Sequence, residues 1–279
     1  MEDDQPFDIV DTQVHITADM TADRVITSMN ALGISSVIID EFWSIDASRV
    51  MPSDLLADGT VRPVSPYAHA AAIQHPGRVS YLQRIERRDR HLAEVMTLLA
   101  STPGCRAVRI VILSGAERAS FTDGGYDNVL SLAQAHALPI CVLGVDAVAL
   151  PTVTARFPDL QIVLDHCGWP RSPEHWEDIL RLAAQLNVSM KWSHASRAFR
   201  HAGDFPETRQ REFGRAIEAF GVERVMWASD VTQDESSDSW AELLSFVRDN
   251  PSLSRADKEW ILGGAARRLY RWDPSPSGS

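Results

Sequence analysis

The sequence predicts a single-domain α/β fold of the (β/α)8, or TIM barrel, type. Its 279 residues lie close to the roughly 250 usual for such a barrel. Runs rich in β-branched residues alternate with helix-period segments about eight times, the pattern of parallel strands joined by helical crossovers. The turn after the first strand, HITADMTADR, has no glycine, whereas the rival open doubly wound sheet carries a Gly-rich phosphate loop there.

In chain order, PFDIVDTQVHI reads as the first strand, with Ile9, Val10, Val14 and Ile16 suited to a pleated surface. Strict alternation would place Asp11, Gln13 and His15 on one face. Thr21 is positioned to cap the helix ADRVITSMNALG, where Val25, Ile26, Met29 and Leu32 recur at helical spacing before Gly33 ends it. SSVIIDEFW is the second strand, which completes a right-handed crossover unit. The Pro-containing stretch around residues 45 to 75 is expected to be a long loop over one end of the fold. VSYLQRIE, CRAVRIVIL, LPICVLG, QIVLDHCG, NVSMKWS and RVMWASD supply the remaining strands. Between them lie the helical segments DRHLAEVMTLLAS, YDNVLSLAQAHA, LPTVTARF, HWEDILRLAAQL and ETRQREFGRAIEAFG, and SWAELLSFVRDN and DKEWILGGAARRLYRW close the chain as helices. The barrel is expected over residues 1–272, followed by a Pro- and Ser-rich flexible tail at 273–279.

Hydrophobic content of 44% and charged content of 23% are ordinary for a globular chain. With 27 basic against 38 acidic residues, the net charge of -11 opposes binding to nucleic acid or anionic lipid. The start, MEDDQPFDIV, lacks the basic and apolar segments of a secretion signal, so a cytoplasmic protein with a small-molecule substrate is expected. Cys105, Cys141 and Cys167 are too scattered for a disulfide framework or a clustered zinc site.

In a parallel barrel the carboxyl ends of all strands meet at one mouth. Asp11, Gln13 and His15 on the first strand, Arg109 on the fourth, Asp165, His166 and Cys167 on the sixth, and Ser229 and Asp230 on the eighth converge there. Alternation predicts that Ile162, Leu164 and His166 share the inward face of the sixth strand, and Met226, Ala228 and Asp230 that of the eighth. His15, His166 and Asp230 are therefore the expected catalytic residues. The same three are the expected ligands of one divalent metal, zinc first, because two imidazoles and a carboxylate leave a position for water. Without metal, Asp230 would activate water while the imidazoles and Arg109 bind the developing oxyanion.

DTQVHI, VLDHCGWP around His166, MWASD ending at Asp230 and ILGGAARRLY at the close resemble, in order and spacing, the motifs of the amidohydrolase-related branch of the amidohydrolase superfamily. The resemblance covers nearly the whole chain. It implies a (β/α)8 barrel with HxH on the first strand, His on the sixth and Asp on the eighth. It also implies an activity among sugar lactonases, a pyrone-dicarboxylate lactonase and metal-dependent aromatic decarboxylases. The chain departs from the pattern at Gln13, which replaces the first His of HxH by a poor zinc ligand. It departs again at Arg109, a fixed cation where two-metal branches place a lysine carbamate or glutamate. The fifth strand, PICVLG, has no His. A binuclear centre is thus not expected. DHCGWP and CRAVRI resemble lactonases that include metal-independent members, so both metal-bound and metal-free chemistry remain open.

The leading expectation is hydrolysis of a small carboxylated or hydroxylated lactone. A metal-dependent non-oxidative decarboxylase of an aromatic acid is the first alternative, and a barrel without catalysis that serves as a binding protein is the second. Gln13, Arg109, Lys191, Arg197 and Trp169 are the substrate-binding candidates. Lys191, one of two lysines, should point inward and pair with a carboxylate such as Asp11 or Glu41, or else act as base or Schiff-base former. Arg109, Arg197 and Arg200 suit a substrate carboxylate. Arg197, Arg200, His194 and His201 lie in SHASRAFRHAG, where a solvated role is the simpler reading. Cys167 reads as a packing residue. Trp43, Trp169 and Trp192 either stack on a ring or fill the mouth. Barrels of this type often form homodimers.

Overall fold

A computed structural model describes residues 5–16, 20–45, 48–50, 52–199, 205–232 and 238–273. Arg200, His201 and residues 274–279 of the expected tail lie outside them, as does the side chain of Trp43. Eight parallel strands follow one another in sequence order: β1 (Val10–Val14), β2 (Ser36–Asp40), β3 (Val79–Arg84), β4 (Cys105–Val111), β5 (Ile140–Leu143), β6 (Ile162–Leu164), β7 (Val188–Trp192) and β8 (Val225–Trp227). Helices connect them, giving a single-domain (β/α)8 TIM barrel.

The sheet curls until β8 meets β1. The Thr12 hydroxyl donates to the Trp227 carbonyl (2.8 Å), and the Asp230 N–H donates to the Gln13 carbonyl (2.9 Å). These bonds join the two ends of the sheet, so neither is left as an open edge.

Strand alternation divides the apolar residues into two cores. Val10, Ile38, Leu82, Ala107, Cys141, Val163 and Met226, one from each of seven strands, pack together as an interior plug. Ala265, Ala266, Tyr270 and Trp272 of the closing helical segment complete the same cluster. The opposite faces of the strands, including Val37, Ile39, Ile162, Leu164 and Trp227, pack against the helices in the larger core. Thr21 caps helix Ala22–Leu32 as expected, accepting from the Arg24 N–H, and Gly33 ends it at φ 72°. The closing segment runs as Arg255–Glu259, a π-turn over Trp260–Gly264, and Ala265–Leu269. Only glycine fits at position 263, where a Cβ would lie 2.0 Å from the Asp8 carbonyl oxygen.

The stretch expected to be a long loop is structured instead. It forms hairpins pairing Trp43–Ile45 with Ser48–Val50 and Ser53–Leu55 with Val61–Pro63, followed by helix Pro66–Gln74. The cause is turn chemistry: Gly59 adopts φ 85°, Asp58 accepts from the Thr60 N–H, and the Asp-Gly pair reverses the chain. Pro66 starts the helix, and Glu41 accepts from the Ala68 N–H at 2.8 Å. Two short helices also lie in segments read as links: Gly115–Thr122, capped by Ser114, and Ala195–Ala198.

Candidate active site

Above the apolar plug the barrel interior becomes polar. The inward residue two positions after Ile38, Leu82, Ala107 and Val163 is Asp40, Arg84, Arg109 and Asp165, and β7 contributes Lys191 at the same level. These charges pair with one another. Arg84 grips Asp40 through two bonds, Nε at 2.9 Å and Nη2 at 2.5 Å. Arg109 donates to Asp40 through Nη1 and to Asp165 through Nε at 2.7 Å. Lys191 Nζ lies 3.0 Å from Asp165 and donates to Gln13 Oε1 at 2.9 Å. Burial works to raise the Asp165 carboxyl, but the Arg109 and Lys191 cations prevail and hold it at about 2. Asp40 is likewise held below its ordinary range by Arg84 and Arg109 against the effect of burial.

The first strand departs from strict alternation. A bulge between Asp11 and Val14 shifts the register, so Asp11 and Gln13 do not share a face. Asp11 accepts from the backbone N–H groups of Gln13 and Ser229 and, at 2.7 Å, from Trp240 Nε1 of helix Trp240–Arg248. It ties β1 to β8 and to the helix layer. Burial pushes its carboxyl up to about 6 despite those donors. Gln13 and His15 point inward.

The uppermost layer surrounds Asp230. His15 Nε2 lies 2.9 Å from one carboxylate oxygen; His194 Nε2 lies 2.6 Å and His166 Nε2 3.6 Å from the other. All four residues are buried. Burial alone would raise the Asp230 carboxyl, but the charge and hydrogen bonding of His15 and the hydrogen bond from His194 bring it well below the ordinary value. Chain geometry aims these groups. His166, Cys167 and Trp169 have φ of 53°, 57° and 59°, His194 has 51° and Asp230 has 48°. Left-handed backbone is costly for such residues and concentrates at functional sites. On β6 it is Val163 and Asp165 that face inward, contrary to the expected Ile162–Leu164–His166 alignment, and His166 reaches the mouth from the left-handed turn beyond the strand.

Neighbours orient the imidazoles. His15 Nδ1 donates to the Asp40 carbonyl oxygen at 2.7 Å, which aims Nε2 at Asp230. His166 Nε2 faces Arg109 Nη2 at 3.3 Å. Because a guanidinium only donates, Nε2 accepts and Nδ1 donates to Ser193 Oγ at 2.8 Å. Burial keeps this ring neutral, its pKa well below the usual histidine value.

These groups face a pocket of about 830 Å3, counting its open part, with Phe42, Leu143, Trp169 and Arg197 among its walls. Arg197 is exposed, and its guanidinium lies 4.8 Å from the Trp169 ring centroid. Of the expected site residues, His15, His166, Asp230, Arg109, Trp169 and Arg197 line this pocket. Gln13 and Lys191 lie beneath it, paired with each other, and are not among its walls. Lys191 pairs with Asp165, not with Asp11 or Glu41, whose partners lie elsewhere. Trp192 belongs to an outer aromatic cluster with Phe199, Phe213 and Phe246. Cys167 is buried and donates to the Ser193 carbonyl.

Donor atoms of His166, His194 and Asp230 lie within 4.8 Å of one another. Nitrogen and carboxylate donors with a ring nitrogen turned inward are suited to one divalent ion, so the group fits a mononuclear metal. Sequence reasoning missed His194 in this group. Strand parity gave no signal for it: directly after the inward Ser193 it is out of phase, and its left-handed backbone at φ 51° turns it over the mouth. His15, expected as a ligand, lies against the far oxygen of Asp230, outside that compact set. The Arg109 and Lys191 cations oppose a second ion below it.

A buried His-rich carboxylate site at the carboxyl end of a (β/α)8 barrel is an arrangement used by hydrolases and lyases. The amidohydrolase family pattern matches residues 64–272, and the chain belongs to that family. A solved amidohydrolase from Burkholderia multivorans, with zinc bound in one crystal form, is 22% identical over 95% of this chain and 100% of its own, at TM-score 0.74. A structure described as a 2-pyrone-4,6-dicarboxylic acid hydrolase from Pseudomonas putida is 20% identical over 96% and 99%, at TM-score 0.70. For a 5-carboxyvanillate decarboxylase from Sphingomonas paucimobilis the values are 16% over 96% and 100%, at 0.64. At these identities the likeness is one of fold. No curated protein matches the sequence. No helix among the described residues is long and apolar enough to cross a membrane.

Proposed function

We propose that this chain is a hydrolase that opens a small lactone bearing a carboxylate or hydroxyl groups, with Asp230 as general base. The observation that carries the reading is the position of Asp230, ionised and held on one oxygen by His15 and on the other by His194. It faces the same cavity as the neutral His166 and the Arg109 guanidinium. Asp230 takes a proton from water as the water oxygen bonds to the lactone carbonyl carbon. An Arg109 N–H stabilises the oxyanion, its cationic charge already balanced by Asp40 and Asp165. The ring C–O bond then breaks, and the leaving oxygen recovers the proton from Asp230. His15 and His194 orient the carboxylate, and Arg197 at the rim receives a substrate carboxylate. When one divalent ion, with zinc the first candidate, is held by His166, His194 and Asp230, it supplies Lewis-acid polarisation of the bound oxygen.

Asp230→Asn keeps the shape and removes the base. On a lactone confirmed as substrate it should lower kcat/KM by about a thousandfold or more with the fold intact. Near-normal turnover would overturn the assignment. The compact His166, His194 and Asp230 group also favours a second reading, a metal-dependent decarboxylase. Full metal occupancy of protein purified without chelator, together with carbon dioxide release from an aromatic acid, would select it over the lactonase.

A further inference from the structure

Beside the mouth pocket lies a second, partly open cavity of about 800 Å3, counting its open part. Arg84, Arg109 and Val111 line both, so the two spaces adjoin around those three residues. The second cavity is also lined by Val61 and Pro63 of the hairpin strand Val61–Pro63 and by Arg87, Glu117 and Tyr126.

The hairpin wall is firmly tied down. Arg62 donates twice to Asp89, at 2.5 and 2.9 Å; Gln83 Nε2 donates to the Pro63 carbonyl at 2.9 Å; and the Val64 N–H donates to the Pro52 carbonyl at 2.9 Å. The first two contacts tie the strand to the barrel and the third closes the hairpin on itself, so the segment forms a defined boundary to the cavity.

The chemistry inside is polar but balanced in charge. Arg87 Nε donates to Glu117 at 3.2 Å, the Tyr126 hydroxyl donates to the same Glu117 oxygen at 2.5 Å, and the Arg87 guanidinium lies 5.3 Å from the Tyr126 ring centroid. Arg84 and Arg109 are committed to Asp40 and Asp165. A carboxylate entering here would compete with Glu117 for Arg87, and an apolar group would strip water from an ion pair without replacing its hydrogen bonds. A hydroxyl both donates and accepts. A guanidinium has five N–H groups and a carboxylate about four lone-pair directions, so the Arg87–Glu117 pair can serve hydroxyls while staying paired.

We propose that the second cavity is a subsite for an uncharged, hydroxyl-bearing arm of the substrate, recognised by Tyr126, Glu117 and Arg87. The proposal rests on the lactone reading for the ring end of that substrate and assigns the arm to residues outside the catalytic group. Tyr126 is the sharpest probe, because Tyr126→Phe removes one oxygen and keeps the ring that packs 5.8 Å from Phe121.

The experiment compares two lactones with the same ring, one unsubstituted and one carrying a two- or three-carbon hydroxylated chain, on the full-length protein and on Tyr126→Phe and Glu117→Gln. Wild type should prefer the armed lactone, and each variant should lower the armed-to-unarmed ratio of kcat/KM by about tenfold, the discrimination a polar subsite loses with one hydrogen bond. A general structural defect would lower both substrates together and leave the ratio unmoved. An unchanged ratio in both variants overturns the subsite. If wild type opens neither ring, the lactone reading fails by itself, and calorimetric binding of the two corresponding open-chain acids tests the subsite. Weaker binding of only the hydroxylated acid to Tyr126→Phe supports it, and equal binding of that acid to both proteins overturns it.

Discussion

Two layers of the same barrel, two residues apart along β2, β3, β4 and β6, are built on opposite principles. The lower layer of Val10, Ile38, Leu82, Ala107, Val163 and Met226 is apolar and closed by Tyr270 and Trp272. The upper layer of Asp40, Arg84, Arg109, Asp165 and Lys191 is charged. Burying apolar surface contributes directly to stability. Burying charges is favourable only while every member keeps its partners. The charged layer is therefore better understood as a rigid electrostatic support for the Asp230 site than as a source of stability, and the two layers should fail differently.

The largest effect is expected from Lys191→Met. It leaves Asp165 with Arg109 as its remaining cation and takes the donor from Gln13 Oε1. Breaking a buried ion pair from one side costs roughly 3–5 kcal/mol, measurable by denaturant unfolding. A loss under about 1 kcal/mol would mean that Arg109 alone satisfies Asp165. Adding Asp165→Asn to Lys191→Met should not recover the loss, because it leaves the buried Arg109 sharing Asp40 with Arg84 as its one carboxylate partner.

Leu82→Ala in the lower layer should cost about 3 kcal/mol through lost burial and the cavity left behind. Its mark is selectivity: the remaining folded protein should keep its kcat. A fall in kcat larger than the loss of folded protein would show that the plug transmits to the mouth and that the layers are not independent.

Acid should weaken the upper layer and leave the plug intact. Asp165 is held at about 2, below its unfolded-chain value near 4. Its contribution is fully present above about pH 4 and is lost as the pH falls through the folded value, because the unfolded chain takes up the proton first. Asp40 is depressed in the same direction. Stability should fall between about pH 4 and pH 2, by roughly 2 kcal/mol from Asp165 alone. A flat profile over that interval would contradict the pairing of the layer.

The difference between the layers also explains what the sequence disclosed. Strand order, the first helix with its Thr21 and Gly33 ends, and the approach of His15, His166 and Asp230 followed from periodicity and from convergence at a barrel mouth. Parity misled where the backbone leaves ideal alternation. The bulge in β1 sends Asp11 outward to Trp240, and the left-handed turn after β6 brings His166 into the pocket while Asp165 holds the inward strand position. Both departures depend on long-range pairing, which local composition does not encode. His194 reads as solvated in the sequence because parity does not show the left-handed residue beyond β7 that turns it into the site. The hairpin around Asp58 and Gly59 carried a readable turn signal that its surrounding prolines obscured.

The smallest effect expected lies at the seam between the layers and the outer helices. Ser239 caps helix Trp240–Arg248 in a reciprocal pair with Glu242, and the first residue of that helix sends its indole N–H to Asp11. Ser239→Ala removes one exposed capping bond and should cost about 1 kcal/mol. Since Trp240 is also held by burial, the indole should keep its place and kcat should not change. If kcat falls while stability drops by only that amount, then the Trp240–Asp11–Ser229 connection is strained enough for a surface cap to displace Asp230. The rigidity ascribed to the upper layer would then extend through the β1–β8 seam to the helix that flanks it.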